Sequence, residues 1–186
     1  GGGTLTNELL KINKFATDTP TSSAFVQQRD KITPKAFSAL FSMINQAFDQ
    51  DIRYKDYRLM AVDGSHIHVP TNPQDIDSFV KCTENERPHN EFHLNAMFDI
   101  LQKFYTDAVV QKYRTQNEDK AMIEMIERAT YQKAIAICDR GYESYNNMAH
   151  LQESNWKYII RIKEPGGYGI ADGLQLPEST EFELSV

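Results

Sequence analysis

The chain has 186 residues, of which 40% are hydrophobic, and its 26 acidic and 20 basic residues leave a net charge of −6. This length supports one packed domain plus an appendage, and the negative charge argues against a surface that coats nucleic acid uniformly. No apolar stretch approaches the roughly 18–20 residues of a membrane span, and no secretory signal pattern opens the chain. Cys82 and Cys138 are too few for a disulfide framework or a zinc site, and a small buried Cys138 fits the reducing cytoplasm that we expect.

Residues 1–50 are predicted to form a helical segment. Thr33-Pro34 combines a capping residue with proline at the first helical position, and apolar residues then recur at helical spacing from Phe37 to Phe48. Earlier helices are indicated around Leu9-Leu10 and after Ser22-Ser23. Residues 1–58 hold eight basic and six acidic residues, whereas the rest hold twelve and twenty. Surface that neutralises phosphate is therefore expected in this first segment or outside the chain.

From Tyr57 onward the pattern changes to strands. Leu59–Val69 is the first predicted strand, and residues 70–90 form a polar excursion that contains two prolines. His93–Ile100 and Phe104–Gln111 follow, joined closely enough to make a hairpin.

The second half of the chain alternates helices with strands. Asn117 and Ser144 are each predicted to cap a helix. The continuous apolar run Ala134–Cys138 indicates a strand covered on both faces, and Tyr158–Lys163 is the fifth strand. Hairpins make neighbouring strands antiparallel, and right-handed helical crossovers add parallel strands. The predicted fold is therefore α/β, with a mixed five-stranded sheet of order 3-2-1-4-5, strand 2 antiparallel, and helices flanking it.

Two aspartates end strands that this order makes neighbours. Asp63 follows the first apolar strand and Asp139 follows the run 134–138, at strand ends where open α/β sheets place their ligands. Two ionised carboxylates repel and are costly to desolvate, and a divalent cation resolves both problems. Oxygen ligands suit Mg²⁺ or Mn²⁺, and two such ions serve phosphoryl displacement. The competing interpretation is structural: Asp63 caps a turn and Asp139 pairs with Arg140.

The histidines offer a second candidate metal site. His66 and His68 lie two residues apart on one face of the first strand, but no cysteine or third histidine is placed to complete a zinc site, so a structural role is preferred. His89 and His93 have i, i+4 spacing, yet Pro88 and the following strand pattern argue against a helix there.

Four residues near the second aspartate are candidates for contacting DNA or supporting the aspartates: Arg140, Tyr142, Arg161 and Lys163. Arg140 suits a phosphate contact or a plain salt bridge equally. Tyr142 suits packing at the strand-to-helix turn better than chemistry. Arg161 and Lys163 could line DNA, although strand-edge lysines also deter aggregation.

Three segments together resemble a known family: YRLMAVDGSHIHVP (57–70), HLNAMFDILQKFYTDAVVQ (93–111) and AIAICDRGYESYNNMAHLQESNWKYIIRIK (134–163). They are similar to DDE transposases of bacterial insertion sequences, specifically the insertion-sequence-four type. The resemblance implies a ribonuclease-H-like catalytic core over residues 51–165, with Asp63 and Asp139 as catalytic and metal-binding acids.

The resemblance also implies cofactors and partners. These enzymes use two Mg²⁺ or Mn²⁺ ions to cut at transposon ends with an activated water, after which a DNA 3′-hydroxyl attacks the target. We therefore expect double-stranded DNA at transposon ends and target as the partner, a homodimer on DNA, no membrane, and a bacterial, nucleoid-associated cytoplasmic protein.

One part of the family pattern is not found in this chain. The third acid of these enzymes belongs to a helix after the fifth strand, in the pattern tyrosine, two residues, arginine, three residues, glutamate. Counting from Tyr158 and Arg161 puts Pro165 at the glutamate position, and Glu164 ends a strand instead. We expect the third acid to lie beyond this chain, residues 166–186 to begin a β insertion, and this piece to be inactive alone.

Two alternatives stay open. One is a catalytically inactive or domesticated DNA-binding remnant of a transposase: the complete tyrosine-arginine-glutamate-lysine pattern in the downstream sequence would support the enzyme, and its absence would support the remnant. The other is a ribonuclease-H-like nuclease, which cleavage of RNA–DNA hybrids in preference to duplex DNA would support.

Overall fold

The computed structural model describes residues 4–81, 87–164, 166, 168–177, 179, 181 and 183, so Cys82 lies outside the described residues. The chain divides into two units, Gly1–Phe48 and Asp49–Val186. No helix of the described chain is long and apolar enough to cross a bilayer.

The first unit contains three helices, α1 (Leu5–Ile12), α2 (Ser22–Arg29) and α3 (Pro34–Phe48). The Thr4 and Thr21 hydroxyls each accept a hydrogen bond from the backbone three residues on and so cap α1 and α2. Helix α3 begins at the predicted proline. Among the described residues of these helices only Leu9 is buried, so they remove little apolar surface from water within this unit.

The second unit is built on a mixed six-stranded sheet. Its strands are β1 (Arg58–Val69), β2 (Phe79–Val80), β3 (His89–Asp99), β4 (Phe104–Lys112), β5 (Ala134–Cys138) and β6 (Lys157–Ile160). Strand β3 pairs antiparallel with β1, β2 and β4, whereas β5 runs parallel to both β1 and β6. The predicted order is thus confirmed as β4-β3-β1-β5-β6, because hairpin and crossover connections left few alternatives.

Three strand predictions need correction. The two-residue β2 was not predicted, because a pair of residues within a polar excursion has no periodicity. Its pairing with Asn90 and His89 starts β3 four residues before the predicted position. At the other edge β6 ends at Ile160 instead of residue 163. Beyond it, the described residues form turns without a helix or strand, and the β insertion stays a prediction.

Helices α4 (Glu118–Arg128) and α5 (Tyr145–Glu153) cover one face of this sheet. Asn117 and Ser144 cap them as predicted, each accepting a backbone N–H three residues on. Residues that alternate along the strands fill the core beneath these helices: Met60, Val62, Met97, Ala134, Ala136 and Cys138. The expectation that β5 is covered on both faces is wrong for the described residues, because Ile135 and Ile137 on the opposite face are only half-buried and Ile159 beside them is 62% exposed.

A buried cation starts β1. Arg58 is 4% exposed, and its guanidinium nitrogens lie 2.6 Å from Asp49, 3.0 Å from Asp51 and 3.7 Å from the fully buried Asp99. It also covers the ring of Tyr131, with 4.7 Å between the guanidinium carbon and the ring centroid. Burial alone raises the pKa of Asp49, but hydrogen bonds from Arg58, the Asp51 backbone and Gln102, together with the charge of Arg58, hold that pKa below its ordinary value of 3.8.

Candidate functional site

The two aspartates follow directly on a paired position of adjacent parallel strands. The β1–β5 ladder ends with Val62 opposite Cys138, and Asp63 and Asp139 are the next residues of each strand. Val62 and Cys138 are buried beneath the helices. Because strand side chains alternate between faces, the next position of each strand belongs to the half-exposed face, and both aspartates are exposed.

Each aspartate is tied to the backbone through one carboxylate oxygen. Asp63 Oδ1 accepts the Gly64 N–H at 2.9 Å, and Asp139 Oδ1 accepts the Gly141 N–H at 2.8 Å. The second bond caps a short 3₁₀ turn, Arg140–Tyr142. Neither Oδ2 accepts a hydrogen bond from any residue that the structure describes. The structural interpretation therefore accounts for one oxygen of each carboxyl and leaves the other available to a ligand.

A third carboxylate, Glu118 at the start of α4, lies beside these strand ends. Its Oε1 is 2.9 Å from the point that a Cβ on Gly64 would occupy, and its Oε2 is 3.4 Å from the corresponding point on Gly141. Asp139 Oδ1 lies 3.0 Å from that second point. The glycine of the D-G-S motif therefore leaves the space that Glu118 takes, a signal that sequence reasoning missed.

Glu118 is held there by His93. The His93 Nε2 lies 3.1 Å from Glu118 Oε1, and the His93 ring is 2.6 Å from the Cβ position of Gly64. The ring is buried, and within the described chain its Nδ1 has no hydrogen-bond partner. A pocket of ≈ 310 Å³ opens beside this pair; its lining residues are His66, His93, Gln116, Asn117, Glu118, Asp119 and Gly141.

The residues that follow Asp139 have separate roles. Tyr142 is 1% exposed and belongs to the core, which confirms the packing interpretation. Burial, and then the negative charge of Glu118, raise the pKa of Tyr142 well above its ordinary value. Arg140 is exposed and forms no ion pair within the described chain, so the predicted alternative in which Asp139 pairs with Arg140 is wrong. The backbone of Gly141 satisfies Asp139 instead.

Arg161 and Lys163 follow β6 at the same edge of the sheet. Ile160 lies opposite Cys138, and the Arg161 N–H extends that ladder by bonding to the Cys138 carbonyl at 3.1 Å. Arg161 therefore comes level with Asp139, and its side chain is exposed. The Lys163 backbone N–H donates to Glu143 at 2.5 Å, and Ile170 N–H donates to the same carboxylate. Glu143, not considered from the sequence, thus anchors the turns after β6.

Three histidines converge on one carboxylate on the face of β1 opposite to that of Asp63. Glu91 Oε1 lies 2.7 Å from His66 Nδ1, whereas Glu91 Oε2 lies 3.2 Å from His68 Nε2 and 3.3 Å from His89 Nε2. We call these four residues the histidine cluster. Burial alone raises the pKa of Glu91, but hydrogen bonds from His89 and His66 together with the charges of His66 and His68 hold that pKa below its ordinary value. The prediction that no third histidine joins His66 and His68 is wrong, because cross-strand pairing brings His89 beside them.

The match to protein families covers most of the second unit. The family model described as transposase DDE domain matches residues 54–178. A comparison with curated proteins finds no match.

Two solved structures are similar over most of this chain. One is a piggyBac transposase synaptic complex with hairpin DNA (12% identity, TM-score 0.45, covering 84% of this chain and 36% of that one). The other is a Mos1 transposase paired-end complex with the left transposon end (14% identity, TM-score 0.38, covering 83% of this chain and 58% of that one). The chain thus spans less than two thirds of the length of either. Because the family match takes in more than half of the chain and both aspartates, the chain belongs to the transposase DDE domain family.

Proposed function

We propose that this chain is the catalytic core of a DDE transposase that cleaves and joins DNA at transposon ends by metal-dependent phosphoryl transfer, with Asp63 and Asp139 as its catalytic acids. The observation that carries the proposal is the parallel β1–β5 ladder, whose last pair, Val62 and Cys138, directly precedes both aspartates. The motifs around them support the insertion-sequence-four type and a bacterial origin.

The donor set fits a hard divalent cation. Each aspartate has one oxygen fixed by a backbone N–H and one that no described residue engages. Carboxylate oxygens are the ligands that Mg²⁺ and Mn²⁺ prefer, and such ions keep waters that substrate oxygens can replace. Bound there, a pair of these ions would supply the activation of a water or 3′-hydroxyl and the stabilisation of the leaving oxygen.

The chain's own residues would position the DNA backbone. Asp63 and Asp139 repel phosphate unless cations lie between them, so the acids and the DNA share a dependence on metal. Arg161 is exposed and level with Asp139, where a guanidinium suits a phosphate oxygen. Glu118, fixed by His93, adds negative charge at the same edge and favours bound cations further.

Manganese binding tests the acid pair directly. Free Mn²⁺ would be followed by electron paramagnetic resonance in the His68→Gln/His89→Gln background, which removes two donors of the histidine cluster. We expect Asp63→Asn and Asp139→Asn each to weaken binding by at least about 10–100-fold, because losing a residue that only orients a metal ligand already costs that much. Asp18→Asn removes an exposed charge in the first unit and should change it less than twofold.

Unchanged Mn²⁺ affinity in the Asp63→Asn/Asp139→Asn double variant would contradict the site.

A separate experiment compares duplex DNA and RNA–DNA hybrid as substrates of the full-length gene product with Mg²⁺. Preference for the hybrid would favour the nuclease alternative, and metal binding without cleavage of either substrate would favour the inactive remnant.

A further inference from the structure

We propose that His68, His89 and Glu91 form a binding site for a divalent transition-metal ion of the Zn²⁺ class, separate from the aspartate pair. His66 supports this site by holding the second oxygen of Glu91. The proposal does not depend on the chain's being a transposase.

Strand register brings the donors together. Antiparallel pairing of β1 with β3 sets His68 opposite Glu91 and His66 opposite His93. His89 lies two residues before Glu91 on β3, and therefore on the same face. Four of the five histidines in the chain thus lie on one face of the β1–β3 pair, although 20 residues separate His68 from His89.

The spacing of the donor atoms suits one ion. One ligand atom each of His68, His89 and Glu91 lies within 4.8 Å of the others. Glu91 Oε2 is 3.2 Å from His68 Nε2 and 3.3 Å from His89 Nε2. Ligands about 2.0–2.1 Å from a tetrahedral Zn²⁺ lie roughly 3.3 Å apart, which matches both distances from Glu91 to the histidine nitrogens.

The chemistry of the donors selects the class of ion. Two imidazoles and one carboxylate form a set used for Zn²⁺, whereas Mg²⁺ and Ca²⁺ prefer oxygen ligands throughout. Glu91 is 8% exposed, and its other oxygen, Oε1, is hydrogen-bonded to His66 Nδ1. A supporting contact of this kind fixes the orientation of a metal ligand. The His68 side chain is 67% exposed, which gives an ion access from solvent and leaves room for a water ligand.

The position in the fold indicates what the ion would do. His68 is the next-to-last residue of β1, and His89 is the first residue of β3. A bound ion would cross-link these strand ends and close the excursion between them. The alternative without metal is a hydrogen-bonded cluster in which the imidazoles satisfy the buried carboxylate of Glu91.

Zinc binding by the untagged chain, stripped of metal with chelator, tests the site. We expect one Zn²⁺ per chain, measured by competition with a chromophoric chelator, and Co²⁺ absorption bands typical of four or five ligands. His68→Gln and His89→Gln should each weaken binding by about 10–100-fold, and the double variant by more. His150→Gln, which changes the one histidine outside β1 and β3, should leave the affinity unchanged.

Three outcomes would overturn the proposal. The first is no stoichiometric Zn²⁺ in the wild-type chain, and the second is equal affinity in the His68→Gln/His89→Gln variant. The third is loss of Zn²⁺ in the Asp63→Asn/Asp139→Asn variant, which would assign the ion to the aspartates. Circular dichroism checks that each variant is folded. Because His68 is exposed, His68→Gln should fold, and the test stays decisive even if a Glu91→Gln variant unfolds. Failure here leaves the Mn²⁺ result at Asp63 and Asp139 untouched.

Discussion

Strand β1 carries two groups of candidate ligands on opposite faces. Asp63 belongs to the half-exposed face, where its neighbour on β5 is Asp139 and the donors are oxygens. His66 and His68 belong to the face that carries Glu91, where nitrogen and oxygen donors meet. The difference shows how an alternation of period two separates candidate ligands only a few residues apart into groups with different donor atoms.

The largest effect should come from the oxygen site. Asp63→Asn or Asp139→Asn in the full-length gene product should lower DNA strand transfer with Mg²⁺ by at least about 100-fold, since each removes a charge that the metal requires. The measurement is product formation on transposon-end DNA resolved on gels. Comparable transfer by either variant and wild type would show that these acids are not the catalytic pair.

Zinc should stabilise the fold through the histidine face alone. At free Zn²⁺ about 100 times the dissociation constant, binding adds about 2.7 kcal/mol to the free energy of unfolding, which is roughly 5–10 °C in Tm for a chain of this size. Differential scanning calorimetry should find this shift in wild type and in Asp63→Asn, but not in His68→Gln/His89→Gln. An equal shift in Tm with Mg²⁺ at the same concentration would contradict the proposed difference in metal preference between the two faces.

Gly64 separates the two groups and tests how tightly they are packed. A Cβ at this position would lie 2.6 Å from the buried His93 ring and 2.9 Å from Glu118, so Gly64→Ala must displace both. We expect a loss of about 1–3 kcal/mol in the free energy of unfolding, measured with denaturant. Ser65→Ala, at an exposed neighbouring position, should stay within about 0.5 kcal/mol. Equal stability of both variants would mean that His93 and Glu118 move aside freely.

The smallest effect should come from Asp49, whose carboxylate is paired with the buried cation Arg58. The pKa of Asp49 is lowered mainly by Arg58, so this pair stabilises the fold above pH 3.8 and loses its contribution as the pH falls through the lowered pKa. Asp49→Asn should therefore cost about 0.5 kcal/mol at pH 7, since the carboxylate is partly exposed, and less near pH 2. Denaturant titrations at both pH values check this. A cost that persists in acid would indicate packing instead of charge.

Local signals in the sequence were sufficient for most of the fold. Asn117, Ser144 and Pro34 start helices where predicted because caps and proline act within one turn. Hairpin and crossover rules then determined the strand order, and that order made Asp63 and Asp139 neighbours. These inferences need only residues that are close together in sequence and the order of the elements along the chain.

Tertiary structure decided which ligands meet across strands. His89 belongs to β3 only because β2 pairs with it, and Glu91 faces His68 only in this register, which pairing over many residues determines. Glu118 has no partner that the sequence pattern identifies, but the packing of α4 brings it against Gly64 and Gly141. The sequence by itself therefore determined the strand order and the acid pair, whereas register and helix packing decided the histidine cluster and the third carboxylate.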